Sequence, residues 1–147
     1  MDTEKIIKVI TDIFEGADER NWNKVKASFA DDVLLDYYSM NGNPASVLSS
    51  NDIITAWKGF LPGFDLTHHY VTKFQIEQPD GIVKAHFSGK ADHFIDGESW
   101  IVEGTYDLEL AISDDDNAKV TKFKFNLQSQ SGNTELPQRA MEIAKKR

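Results

Sequence analysis

Apolar residues early in the chain recur at three- and four-residue spacings. Ile6, Ile10, Ile13, Phe14 and Ala17 form one stripe, which predicts a helix with Asp2 or Thr3 as its N-cap. Trp22, Val25 and Phe29 keep that period and predict a second, short helix. Asp31 and Asp32 break the pattern. Residues 33–38 then read as a strand, with Val33, Leu35 and Tyr37 on one face and Leu34, Asp36 and Tyr38 on the other. Residues 41–50, rich in Gly, Asn, Pro and Ser, predict a loop. Ser50 or Asn51 caps a third helix carrying Ile53, Ile54, Trp57, Phe60 and Leu61, which Pro62 and Gly63 end.

From there the period changes to alternation. Residues 67–77, 82–95, 99–112 and 119–128 predict four strands, separated by Pro79-Asp80-Gly81, by Asp96-Gly97 and by an acidic turn at residues 114–117. Such separators suit antiparallel hairpins. Residues 134–147 predict a short basic helix, with Pro137 in its first turn. Three helices and hairpin-linked strands define an α+β domain over residues 1–147, a bent antiparallel sheet with the three N-terminal helices on its concave face. Gly89 and Gly104 are the expected bend or bulge points. A curled sheet closed by helices makes a cone whose interior can be partly empty.

Composition narrows the function. A length of 147 residues suits one core. Sixteen aromatic rings (nine Phe, four Tyr, three Trp) and 40% hydrophobic residues exclude disorder. A net charge of −8 disfavours binding to a phosphate backbone, so no nucleic-acid partner is expected. The absence of cysteine excludes thiol nucleophiles and thiolate-held metals. Lys8 interrupts the only apolar run near the start, and no stretch approaches the ~18 apolar residues of a membrane span. The expectation is a cytoplasmic protein without a membrane partner.

Strand parity selects the candidate chemistry. His93 shares a face with Ala85, Phe87, Gly89 and Ala91, and His69 shares one with Val71. Trp100, Val102, Tyr106 and Phe125 fall on the apolar faces of the last two strands. His86, Ser88, Lys90 and Asp92 form a polar opposite face. His68 and His69, being adjacent, point to opposite faces and cannot chelate one metal; no metal or cofactor is called for. If the apolar faces all point into the cone, Tyr37, His69 and His93 meet inside it, with Asp18 arriving from the first helix. An imidazole near an acid and a phenol in an apolar pocket suits proton transfer. Each residue also has a plainer reading: a hydrogen-bonded core histidine, a helix-end acid, a core ring with a polar tip.

Ala17-Asp18, Asn21-Trp22, residues 28–33 (Ser-Phe-Ala-Asp-Asp-Val) and Leu35-Asp36-Tyr37 resemble the opening of the NTF2-like superfamily, within it the SnoaL-like (polyketide-cyclase-like) group and the scytalone dehydratases. Residues 67–71 and 90–93 continue the resemblance. It implies a cone that dimerises through its outer sheet face, and a metal-free site in which a tyrosine-held water and two histidines, one oriented by an aspartate, act on a cyclic substrate. Carried over residue by residue, it implies Asp18, Tyr37, His69 and His93 as the catalytic set. His93, polarised by Asp18, is then the acid or base, and His69 and Tyr37 hold a water or substrate oxygen. Ala17 stands where a second tyrosine is expected, and Val102 and Gly104 where a serine and an asparagine are expected. The resemblance therefore keeps the proton-transfer groups and not the substrate anchors. The implied partners are a hydrophobic small molecule, contacted by Trp57, Phe60, Phe64, Trp100, Val102, Tyr106 and Phe125, and a second copy in a homodimer. The implied activity is a dehydratase, isomerase or cyclase. A non-catalytic ligand carrier or assembly module stays open beside it.

Overall fold

The computed structural model describes residues 2–146. Arg147, the end of the predicted last helix, lies outside the described residues. Helix α1 (Thr3–Glu19) starts where the Asp2 side chain accepts the Glu4 N–H at 3.0 Å. It buries the predicted stripe of Ile6, Ile10, Ile13, Phe14 and Ala17. Helix α2 (Trp22–Ala27) stops earlier than its period suggested, and Phe29 opens β1 (Phe29–Asp36) instead. A helical turn α3 (Tyr38–Asn41), strand β2 (Ser46–Ser49) and helix α4 (Ser50–Lys58) follow. Ser49, not Ser50 or Asn51, caps α4, by accepting the Asp52 N–H at 3.1 Å. After a 3₁₀ turn at Leu61–Gly63 come β3 (Leu66–Glu77), β4 (Ile82–Ile95), β5 (Glu98–Ile112), β6 (Ala118–Gly132) and α5 (Leu136–Lys145).

One six-stranded sheet runs β2-β1-β6-β5-β4-β3, its two ends unpaired with each other. The hairpin-linked neighbours β3 to β6 are antiparallel as their turns demand, but β1 joins β6 in parallel, Leu35 opposite Phe123. The sheet is therefore mixed, not wholly antiparallel. Turn residues specify direction only between strands they connect, and β1 has no such link to β6. The residues read as a loop at 41–50 contain β2, a short edge strand held by backbone bonding to β1. Its four residues are too few to show alternation, with Val47 exposed and Leu48 packed against the edge of the core.

Alternation in β4 and β5 places Val83, Ala85, Phe87, Val102, Tyr106, Leu108 and Leu110 in the core, against α1. A register shift between Glu103 and Gly104 marks the bulge expected there. Gly89 is different. Its register with Gly104 is regular, and a Cβ on it would stand 2.3 Å from the Tyr106 ring, so it serves close packing and not a bulge.

Helix α5 docks just as closely. A Cβ on Gly63 would lie 1.8 Å from the Ala140 carbonyl oxygen, a backbone atom that cannot swing aside. Gly63→Ala is expected to lower stability by about 3 kcal/mol, because α5 must lift from the turn to admit one methyl. Urea unfolding checks this; a midpoint equal to wild type would overturn the docking described. Among the described residues, no helix is long and apolar enough to cross a membrane.

Candidate functional site

Asp18 lies in the last turn of α1, one turn beyond Phe14, and so at the edge of the buried stripe. That places its carboxylate over the start of β3. The His69 backbone N–H donates to Oδ2 at 2.8 Å, the Thr67 hydroxyl donates to Oδ1 at 2.9 Å, and the His69 ring Nδ1 lies 2.6 Å from Oδ1. Burial pushes this carboxyl up, but the hydrogen bonds and charge of His69, with help from Thr67, outweigh it and hold the group below its usual 3.8. An ionised Asp18 accepts only, so His69 donates from Nδ1, and the neutral tautomer that this bond selects presents its lone pair on Nε2.

His93 is not the aspartate's partner. The inner-face parity of β4 brings it to the cavity, yet its Nδ1 lies 3.0 Å from the Trp100 carbonyl oxygen. The assignment of His93 as the histidine polarised by Asp18 is thereby corrected: His69 takes that place. In register, Thr67 faces His93 and Ala91 faces His69, so His93 stands one inward position further along the sheet. A carbonyl can only accept, so His93 too holds its proton on Nδ1. Its ring sits between Phe64 (4.8 Å between centroids) and Trp100 (4.4 Å) and is 4% exposed. Burial pushes its pKa down to about 4, against the opposing bond to the Trp100 carbonyl. His93 is a neutral acceptor at ordinary pH.

Tyr37 sits one residue beyond the end of β1, where it precedes α3, and its ring stacks on Phe123 at 6.0 Å. Burial and the neighbouring Tyr106 raise its hydroxyl well above the usual 10, and burial raises Tyr106 likewise. Both stay protonated as donors. Among the described residues neither hydroxyl has a hydrogen-bond partner within the chain.

These groups share one cavity of about 540 Å³. Tyr37, His69 and His93 line it, with Asp18 behind His69. Trp57, Phe60, Trp100, Val102, Tyr106 and Phe125 also line it. Phe64 does not: the 3₁₀ turn carries it under the His93 and Trp100 rings, where it supports the wall from behind. Residue spacing missed Phe14, Met40, Asn41, Gln130 and Met141, which add to the lining from α1, α3, β6 and α5. Gln130 accepts the Trp100 indole N–H at 2.9 Å, which leaves its amide N–H₂ as a donor at the mouth. Among the described residues no Lys, Arg, Asp or Glu lines the cavity, so it suits a neutral, mostly apolar ligand. Among the described residues, no group of three or more His, Asp and Glu side chains could hold a metal ion.

A bent open sheet wrapped on helices around a pocket defines the class: an α+β cone. A family model for the SnoaL-like domain matches residues 1–123, and the chain belongs to that family. Its fold is that of several solved structures. The Kfla4162 protein from Kribbella flavida is 21% identical, with 98% of this chain and 97% of that one covered at a TM-score of 0.82. A candidate scytalone dehydratase from Novosphingobium aromaticivorans is 16% identical, covering 88% and 86% at 0.74. The hexachlorocyclohexane dehydrochlorinase LinA-type3 from Novosphingobium barchaimii is 15% identical, covering 89% of each chain at 0.71. No curated protein sequence matches.

Proposed function

We propose that this chain is a cofactor-independent acid–base enzyme that removes a proton from a neutral, mostly apolar cyclic substrate, in a dehydration, isomerisation or cyclisation. The 2.6 Å contact between His69 and Asp18 at the wall of an uncharged apolar cavity carries the reading. His69 Nε2 takes the proton from a carbon beside a carbonyl, and Asp18 stabilises the imidazolium that forms. Tyr37 and Tyr106 donate to the developing enolate oxygen. His93 accepts a hydrogen bond from a substrate hydroxyl or a water. The names of two structural neighbours, a dehydratase and a dehydrochlorinase, describe eliminations, which need such a base.

The test uses 2-tetralone, a bicyclic ketone with acidic α-hydrogens, in D₂O. Quenching of Trp57 and Trp100, which line the cavity, reports occupancy. Proton NMR should show α-deuteration faster than in buffer at the same pH. Binding without faster exchange would overturn the catalytic reading in favour of a ligand carrier.

We also propose a homodimer through the outer sheet face. Tyr70 is 47% exposed there, with Lys90 Nζ 5.8 Å from its ring centre, and offers an aromatic contact to a second copy. Sedimentation should give twice 16.6 kDa, and a monomer at concentrations on the order of tens of micromolar would reject it.

A further inference from the structure

Behind the His69–Asp18 pair stands a second set of polar groups. Thr67 is 1% exposed and shares the inward face of β3 with His69. Its hydroxyl oxygen lies 2.7 Å from an Arg20 guanidinium nitrogen and 2.9 Å from Asp18 Oδ1. A guanidinium only donates, so the Thr67 oxygen accepts from Arg20 and its single proton must point at Asp18. The order of the relay is fixed by chemistry: Arg20 to Thr67 to Asp18, whose Oδ1 also faces the His69 ring.

Arg20 is itself held from three elements. It donates to the Ala17 carbonyl at the end of α1 and to the Leu61 carbonyl of the 3₁₀ turn, both at 2.8 Å, besides the Thr67 contact on β3. Its backbone is left-handed, with φ 58° at the C-cap of α1, a position that glycine occupies most easily.

We infer that Arg20 and Thr67 are positioning residues, which lock the Asp18 carboxylate in the rotamer that keeps His69 Nδ1–H bound and Nε2 turned to the cavity. This rests on the proton-transfer reading for its catalytic consequence, though not for its geometry. Without the Thr67 hydroxyl, Oδ1 loses one of two donors and the carboxylate can rotate about its own χ angles. The shape of the cavity does not change, because Thr67 does not line it.

The experiment compares Thr67→Val, which keeps the shape and removes the hydroxyl, with Thr67→Ser, which keeps the hydroxyl, and with Arg20→Lys. Nitrogen-15 NMR of the histidine rings reads the pair without any ligand. The His69 Nδ1–H resonance should stay in Thr67→Ser and move upfield or vanish in Thr67→Val, with the His93 signals unchanged. In 2-tetralone exchange, Thr67→Val should lose on the order of tenfold in kcat at near-constant KM, and Thr67→Ser should recover it. Arg20→Lys should show the same His69 shift, which keeps the test decisive if Thr67→Val does not fold. A wild-type His69 signal in folded Thr67→Val or Arg20→Lys would overturn the inference. An altered His69 signal alongside a wild type that does not exchange 2-tetralone would uphold the positioning and reject the catalytic reading.

Discussion

His69→Gln should reduce catalysed α-proton exchange of 2-tetralone by roughly 10²- to 10⁴-fold, the contribution of one well-placed general base. The glutamine amide can still occupy the space beside Asp18, and its N–H can still donate to the carboxylate. What it lacks is a nitrogen that takes and returns a proton near neutral pH. Stability should therefore fall by only about 1 kcal/mol, the scale of one exchanged hydrogen bond. Asp18→Asn should cost activity on a similar scale by another route. An asparagine can turn its N–H₂ towards Nδ1, which moves the ring proton to Nε2 and removes the lone pair from the cavity. His68→Gln supplies the control. His68 is adjacent in sequence but faces outward beside Tyr70, with ring centroids 4.2 Å apart, and its loss should leave the exchange rate at the wild-type value. Exchange rates by NMR and urea unfolding on the same three proteins check the set. Equal losses in His68→Gln and His69→Gln would remove the base from the mechanism.

The different fates of these two histidines show what strand parity can resolve. Alternation has period two, so once 67–77 is read as a strand, adjacent His68 and His69 must part, and β4 begins and ends at the residues where its pattern does. Parity alone cannot say which inward histidine lies beneath Asp18. That depends on where the end of α1 crosses the sheet, and it crosses over β3, beside His69, with His93 one inward position further along. The parallel seam between β1 and β6 was illegible for a related reason: direction there is set by tertiary packing, not by a turn. Phe64, expected among the ligand contacts, is instead placed beneath the His93 ring by the 3₁₀ turn before it, a local bend that aromatic content does not reveal. Thr67 was within reach of the parity argument, two residues before His69 on the same face. Arg20 was not, since a left-handed C-cap arginine leaves no periodic trace.

Between pH 7 and pH 5 the protein should lose about 2 kcal/mol of stability through His93 alone. The folded protein holds this ring neutral, with a pKa pushed down to about 4, while in the unfolded chain it titrates near 6.5. As pH falls through 6.5 the unfolded state binds a proton that the folded state refuses, and stability declines until the folded ring is protonated near pH 4. The acids whose folded pKa values are depressed, Asp18 among them, act in a different window: their contribution is complete above the unfolded carboxylate value of 3.8 and is lost only at lower pH. The two effects therefore separate. His93→Asn keeps an N–H placed to donate to the Trp100 carbonyl and removes the titration, at the cost of a smaller side chain between Phe64 and Trp100. It should be less stable than wild type at pH 7, and the gap should close by about 2 kcal/mol at pH 5, because only wild type carries the penalty. Urea unfolding of the two proteins at both pH values measures it. If the two curves fall in parallel, His93 is not held neutral by its burial, and its role as the hydrogen-bond acceptor of the cavity fails with it.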